Sequence, residues 1–194
     1  LSFVPFFLVM TTSFLRIVVV LGLLRHALGT QQTPPTNILI GLGLIITFFL
    51  MMPTIQQVNE KALAPYMSKH MSWSQALEEG SSPLRNFMTR QIRKKDLALT
   101  VKLARINKVT DIKDVPFTVI ATAFALSELK TAFIIGFLVF VPFVIVDMVV
   151  ASILMSLGMM MVPPTIVSLP LKLLLFVLMD GWNLLIQGLV ESVR

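Results

Sequence analysis

The stretch from residue 115 to residue 193 is almost free of charged side chains, and this constrains the fold more than any other feature. About 20 consecutive apolar residues are enough for a helix to cross the hydrocarbon core of a bilayer, and this stretch is several times longer. No strand-type alternation of useful length is present, so the chain is predicted to be all-α, with membrane-type helices. The charged residues of the stretch are Glu128, Lys130, Asp147, Lys172, Asp180 and Glu191.

Most of the charge lies in one part of the sequence. Hydrophobic residues make up 56% of the 194 positions and charged residues only 13%, about half the share found in a typical soluble domain. Residues 59–116 hold 11 of the 16 Lys and Arg and 6 of the 10 Asp and Glu. The sequence therefore predicts hydrophobic helices in 1–58, a polar helical segment in 59–116 and hydrophobic helices in 117–194.

Polar residues and prolines indicate where helices start and break. Ser72 and Gln75 fit a capping box, and Ser82 followed by Pro83 fits a second helix start. Apolar residues at near-helical spacing predict one helix over residues 84–106. The prolines expected to divide the last segment into shorter helices are Pro142, Pro163, Pro164 and Pro170.

A dense group of methionines follows the apolar helix that contains Asp147. Residues 142–164 read PFVIVDMVVASILMSLGMMMVPP, and the methionines concerned are Met155, Met159, Met160 and Met161. Methionine is flexible and polarizable, so it suits a surface that must seal and deform. Ordinary packing is the plainer interpretation. If the chain were repeated around an axis, however, these side chains would form an apolar ring that closes a pore by dewetting.

Charged residues inside apolar helices form a second candidate site. Each costs about 2.5 to 3.5 kcal/mol at the bilayer centre on insertion scales, so it normally pairs or faces water. The signs nearly balance, which favours structural ion pairs over a proton or ion relay, and we expect Glu128 to pair with Lys172 of a neighbouring copy. The other charges expected to be buried are Arg16, Lys130, Asp147 and Asp180.

Enzyme chemistry finds little support in the sequence. There is no cysteine, and His26 and His70 have no cluster of carboxylates beside them, so we expect neither a metal site nor a cofactor. Asp147 and Asp180 could form an aspartyl pair in an intramembrane protease, but nothing in the spacing brings them together. Either acid could instead be the proton site of a proton-coupled secondary transporter, which is the alternative function. We expect no catalytic residue.

The basic residues within 84–106 also allow more than one interpretation. They could bind nucleic acid or an anionic membrane surface. Because the segment is tethered between two membrane-type segments, a solvated or subunit-facing helix is favoured. No nucleic-acid partner is expected.

Four long motifs resemble the FliP family, the P-type core subunit of the bacterial flagellar and type III secretion export gate. They are TSFLRIVVVLGLLRHALGTQQTPPTNILIGL (12–42), AFALSELKTAFIIGF (123–137), PFVIVDMVVASILMSLGMMMVPP (142–164) and SLPLKLLLFVLMDGWNLL (168–185). Within the family, LLRHALGTQQTPP and DGWNLL indicate the flagellar branch. The resemblance covers nearly the whole chain.

The resemblance implies that five copies of this chain form a homo-oligomer, which assembles into a ring with one R-type and several Q-type subunits. Such a ring would form a helical channel for unfolded export substrates at the inner membrane and flagellar basal body, with its core projecting toward the periplasm. It implies that the four methionines act as the pore gasket and that buried charges lie at subunit interfaces. It also places residues 59–116 on the periplasmic side, whereas their excess of Lys and Arg would place them in the cytoplasm by the positive-inside rule.

Overall fold

The computed structural model describes residues 9–30, 32–106 and 111–193, and helices account for all the regular secondary structure in these ranges. The all-α class is therefore confirmed for the described residues. Seven helices are used below: α1 Phe14–Ala27, α2 Thr36–Val58, α3 Trp73–Gln91, α4 Lys94–Leu103, α5 Phe117–Ser156, α6 Pro164–Leu178 and α7 Gly181–Glu191.

Two of these helices are long and apolar enough to cross a membrane. Helix α2 continues through a π-helical turn, Asn59–Leu63, and a short α-helical turn, Ala64–Met67, so the whole rod has 32 residues. Helix α5 has 40 residues. Helices α6 and α7 form a third candidate span if they are counted together, with a bend of 64° between them. The predicted membrane-type architecture is confirmed, although residues 1–8 of the first apolar stretch lie outside the described residues.

The chain folds into two compact units. The first comprises residues 1–16 and 44–131, and the second comprises residues 17–43 and 132–194. The three segments predicted from composition follow the order of the chain, whereas each unit draws on two separate stretches of it. The two units defined by contacts in the folded chain therefore do not coincide with the three segments defined by hydropathy.

The first unit has a core between α3 and the beginning of α5. Met88, Val115, Ile120 and Phe124 are buried there, and burying such a side chain contributes about 1.5 to 3 kcal/mol. Phe87 meets the ring of Phe124 edge-on, with 5.8 Å between centroids. These contacts fix α3 against the start of α5.

The start of α3 follows one of the two predicted signals and not the other. The Ser72 hydroxyl accepts the backbone N–H of Gln75, and the Gln75 side chain accepts the backbone N–H of Ser72, so the capping box is confirmed. The predicted start at Ser82 is wrong, because Pro83 lies inside α3 and is buried. Proline already has a helical φ, so a helix nucleated upstream can pass through it with the loss of one hydrogen bond.

The predicted helix over residues 84–106 is interrupted at Ile92 and Arg93. Both residues have extended backbone, with ψ of 130° and 135°, and they separate α3 from α4. The backbone N–H of Arg93 donates to the hydroxyl of Ser127 on α5 at 3.1 Å. The hydrophobic spacing continues across this break, so the pattern alone could not reveal it.

The second unit is built around α1. Its fully buried side chains include Ile17, Val20 and Leu21. At Gly136 of α5, an added Cβ would lie only 2.1 Å from Cδ1 of Leu23. A larger residue at 136 would therefore require the Leu23 side chain to move, so the glycine allows the close approach of α1 and α5.

Prolines divide this unit only in part as predicted. Pro163 precedes α6 and Pro164 is its first residue, so the break at this pair is confirmed. Pro142 lies inside α5 and Pro170 lies inside α6, so the predicted breaks there are wrong. In long apolar helices, neighbouring groups satisfy the carbonyl that proline leaves unpaired, and helix continuity is retained.

Candidate functional site

The methionine-rich loop begins with a defined helix C-terminus. Gly158 has φ +76°, its N–H donates to the Met155 carbonyl at 3.1 Å, and the N–H of Met159 donates to the Leu154 carbonyl at 2.9 Å. This pair of hydrogen bonds is a Schellman motif, which needs a residue that accepts a left-handed backbone. The motif ends α5 at Ser156 and turns the chain into residues 157–163, called the Met loop here.

All four predicted gasket residues are exposed on the single chain. The exposed fractions are 58% for Met155, 45% for Met159, 83% for Met160 and 97% for Met161. Met155 lies in the last turn of α5, and the other three lie in the Met loop. The chain therefore presents a cluster of large apolar side chains between the 40-residue α5 and the 15-residue α6.

In the first unit, Arg16 and Glu128 form a buried ion pair. Arg16 Nε donates to Glu128 Oε2 at 2.9 Å, and Arg16 Nη2 donates to Oε1 of the same carboxylate. Arg16 Nη2 also donates to the Gln91 side-chain oxygen at 3.1 Å. The side chains of the pair are 2% and 0% exposed. The bidentate geometry is the stronger form of this interaction.

In the second unit, a separate polar cluster joins α5 to α6. Lys172 Nζ donates to Asp147 Oδ2 at 2.6 Å and to the carbonyl of Ala27 at 3.2 Å. The hydroxyl of Ser168 donates to the other oxygen, Asp147 Oδ1. Lys172 and Ser168 are buried, and Asp147 is half-buried.

Asp96 is a buried acid whose importance the sequence did not reveal. It lies at the start of α4 and accepts hydrogen bonds from Lys130 and from the hydroxyl of Ser127. Burial opposes its ionisation, but these hydrogen bonds and the charges of Lys130 and Arg93 outweigh burial, so the pKa of Asp96 lies below its ordinary value. Asp96 and Thr100, both buried, are four residues apart on one face of α4, and this spacing was the available signal.

The motifs that suggested the family lie within a match to a known family profile. The sequence profile of the FliP family matches residues 1–189. This chain belongs to the FliP family. The family resemblance stated from the motifs is therefore confirmed, and the chain is a flagellar biosynthesis and export-related protein with candidate membrane-spanning helices.

Several FliP relatives match over nearly the whole of this chain. The flagellar biosynthetic protein FliP of Bacillus subtilis (strain 168) is 50% identical over 98% of this chain and 86% of its own length. The protein of the same name from Pectobacterium carotovorum is 53% identical over 99% of this chain and 74% of its own length. In Buchnera aphidicola (subsp. Acyrthosiphon pisum), the FliP protein is 54% identical over 99% of this chain but only 51% of its own length.

The structure brings some of the predicted charges of this FliP-family chain together and leaves others apart. Glu128 and Lys172 each have a different partner within the single chain, Arg16 and Asp147 respectively. Their pairing between neighbouring copies stays a prediction. Among the described residues, no group of three or more His, Cys, Asp or Glu is placed to hold a metal ion.

Two charges that were expected to be buried are exposed on the single chain. Lys130 reaches from the surface of α5 to Asp96, so the acid is buried and the lysine stem is not. Asp180 lies in the turn between α6 and α7 with φ +50°, exposed, and accepts a hydrogen bond from the Asn183 amide. A short acidic side chain in a left-handed turn is well suited to such local bonding.

Proposed function

We propose that this chain is a pore-forming subunit of the flagellar type III protein export gate, which conducts unfolded flagellar proteins across the bacterial inner membrane. The observation that carries the proposal is the exposure of Met155, Met159, Met160 and Met161 at the end of a 40-residue apolar helix. Membership of the FliP family supports the role in export.

Exposed methionines of this kind favour assembly. Fully burying an exposed methionine side chain contributes about 1.5 to 3 kcal/mol, and on the single chain the four methionines are 45% to 97% exposed. We propose a ring of five copies, completed by Q-type and R-type subunits, in which the methionines of each copy cover those of the next. The flexible side chains would close around an empty pore and yield to a passing polypeptide.

The proposed function involves no bond chemistry by this subunit. Asp147 has a basic partner in Lys172 and a hydroxyl donor in Ser168, which is the environment of a structural carboxylate. Asp180 is exposed and bonded to Asn183. A secondary transporter that used either acid would carry substrate without Q-type and R-type partners. Flux through the purified chain alone, with a pH dependence set by either acid, would therefore contradict the export-gate function.

The gasket role is tested by changing Met159, Met160 and Met161 together to alanine in cells that also make the Q-type and R-type partners. We expect assembly to survive and small ions to leak, measured as loss of membrane potential. The chain offers a matched control, since Met67, Met148 and Met179 are also exposed methionines outside the Met loop. Their triple change to alanine should not leak. An assembled complex that stays tight after the loop change would refute the gasket.

We further propose that residues 59–116 lie on the periplasmic side. The segment has 58 residues, near the limit of about 60 beyond which loop charge no longer sets orientation. Because the chain has no cysteine, Arg90→Cys provides a single labelling site. A membrane-impermeant thiol reagent should label it in intact spheroplasts. Labelling that requires permeabilised membranes would place the segment in the cytoplasm instead.

A further inference from the structure

The two helices that flank the Met loop are joined by a polar contact at a short distance from it. Asp147 lies nine residues before the end of α5 at Ser156, and Lys172 lies eight residues after the start of α6 at Pro164. At about 1.5 Å per residue, both positions are roughly 12 to 14 Å from the loop along their helices. We call α5, the Met loop and α6 the hairpin. The contact between Asp147 and Lys172 therefore lies at about the same distance from the Met loop on both of its helices.

Both carboxylate oxygens of Asp147 are occupied by groups on α6. Oδ2 accepts the ammonium of Lys172 at 2.6 Å, and Oδ1 accepts the hydroxyl of Ser168. The ammonium is nearly inaccessible, with a side-chain exposure of 4%. Removing the carboxylate would leave this buried cation without its counter-charge, which is strongly unfavourable. Breaking the ion pair between Asp147 and Lys172 is therefore unfavourable as long as Lys172 stays buried between the helices.

The ammonium of Lys172 has a second hydrogen-bond partner, on α1. It donates at 3.2 Å to the carbonyl of Ala27, the last residue of that helix. The last carbonyls of a helix have no partner within it and carry its negative dipole end. The cation of Lys172, which is part of α6, thus binds both α5 and the C-terminus of α1. Nearer the loop, the exposed side chains of α5 carry no charge, and the large ones include Met148, Val149 and Ile153.

We propose that Asp147 and Lys172, with Ser168, form a latch that fixes the separation of the helix ends carrying the Met loop. They are positioning residues, because they act on the methionines through the hairpin and do not touch the pore-lining side chains. The consequence for sealing rests on the proposed gate function. The latch itself is a property of the hairpin and can be measured separately.

The latch is tested by the distance between two spin labels at the ends of the hairpin. Ser156→Cys and Thr165→Cys are exposed sites and would be the only thiols in the chain. The chain is coexpressed and purified with its Q-type and R-type partners, with labelled copies diluted by unlabelled ones. We expect a narrow distance distribution in the parent. With Asp147→Asn or Lys172→Met it should become at least twofold wider, and with Asp147→Glu it should stay narrow.

Two controls keep this test decisive. Asp180→Asn removes an exposed acid outside the latch and should leave the distribution unchanged. Labels at Ser74→Cys and Asn86→Cys report whether α3, in the first unit, stays helical, and their distance should not change. If Asp147→Asn fails to assemble, Ser168→Ala removes one hydrogen bond and no charge, and it should widen the distribution to an intermediate degree.

The outcomes separate the latch from the gate. A wider distribution with no ion leak supports the latch and counts against the gasket function. A leak with an unchanged distribution overturns the latch and leaves the gasket standing. An unchanged distribution in both Asp147→Asn and Ser168→Ala likewise overturns it.

Discussion

Arg16 and Glu128 are 112 positions apart in the sequence, yet the guanidinium of one is bonded to both carboxylate oxygens of the other. A buried pair of this kind adds little to stability compared with apolar residues of similar size, because both charges must leave water. We expect its larger effect to be on the specificity of the fold, since any packing that separates the two leaves two buried charges unpaired. The pair therefore fixes one arrangement of the residues around Arg16 and α5.

Loss of one partner of this pair should be costly. Glu128→Gln leaves the Arg16 cation buried without a counter-charge, and we expect the free energy of unfolding to fall by about 3 to 5 kcal/mol. Urea unfolding in detergent, followed by tryptophan fluorescence, would measure this. Glu78→Gln, at an exposed acid, is the matched control and should change the free energy by no more than about 0.5 kcal/mol.

Charge exchange distinguishes the partner of Glu128. If the pair within the chain dominates, Arg16→Glu with Glu128→Arg should restore assembly that either single change abolishes. If the predicted pair between copies dominates, Glu128→Lys with Lys172→Glu should restore it instead. Native mass of the coexpressed complex gives the result, and failure of the first exchange with success of the second would assign Glu128 to the neighbouring copy.

Asp96 should make the first unit sensitive to acid. Its folded-state pKa lies below the ordinary value of 3.8, so the ionised carboxylate contributes stability that is fully present above about pH 5. This contribution is lost as the pH falls through the folded-state pKa. We expect Asp96→Asn to be less stable than the parent at pH 7 and equally stable at strongly acidic pH. A constant difference across this range would contradict the assignment.

The start of α3 can be tested with two serines. Ser72→Ala removes the cap and should cost about 0.5 to 2 kcal/mol. Ser82→Ala lies within α3 and should change the free energy of unfolding by less than about 0.5 kcal/mol. Chemical denaturation of the two variants measures both effects. A larger loss for Ser82→Ala would mean that a helix start operates there after all.

Gly158 and Gly22 should respond in opposite directions to the same substitution. Neither glycine has a heavy atom within 4 Å of an added Cβ, but Gly158 has φ +76° and Gly22 lies within α1. Alanine at 158 should therefore destabilise by about 1 to 2 kcal/mol through its backbone alone. At 22 it should stabilise by up to about 1 kcal/mol. Asparagine at 158 should be tolerated better than valine, and thermal unfolding would rank them.

The sequence predicts a structural feature correctly where the residues that form it lie close together in the chain. The Ser72 cap and its receiver Gln75 are three residues apart, and the Pro163–Pro164 break needs no other residue. The family could be recognised because its motifs are long. The prolines at 83, 142 and 170 were misread, since their effect depends on whether the surrounding helix is already stabilised by packing.

The sequence pattern could not predict which charged residues pair with each other. Near balance of charge indicated that ion pairs exist, and the structure contains them, but the choice of partner depends on packing between distant stretches. Asp96 illustrates this, because its burial depends on Ser127 and Lys130, which lie 31 and 34 positions further along. Within α4, the only sign of this contact is that Asp96 and Thr100 lie on the same face of the helix.

The length of α5 has a consequence for how the chain is solvated. Its 40 residues extend about 60 Å at 1.5 Å per residue, twice the hydrocarbon thickness of about 30 Å. To fit entirely among lipid tails it would have to lean by about 60°, well outside the 0 to 40° seen for membrane helices. Roughly half of this apolar helix must therefore be covered by protein, in part by α1 and α3 of the same chain and otherwise by neighbouring polypeptides. Neither lipid nor water can cover the whole of α5 favourably. We therefore expect a cell that makes this chain without its assembly partners to degrade it.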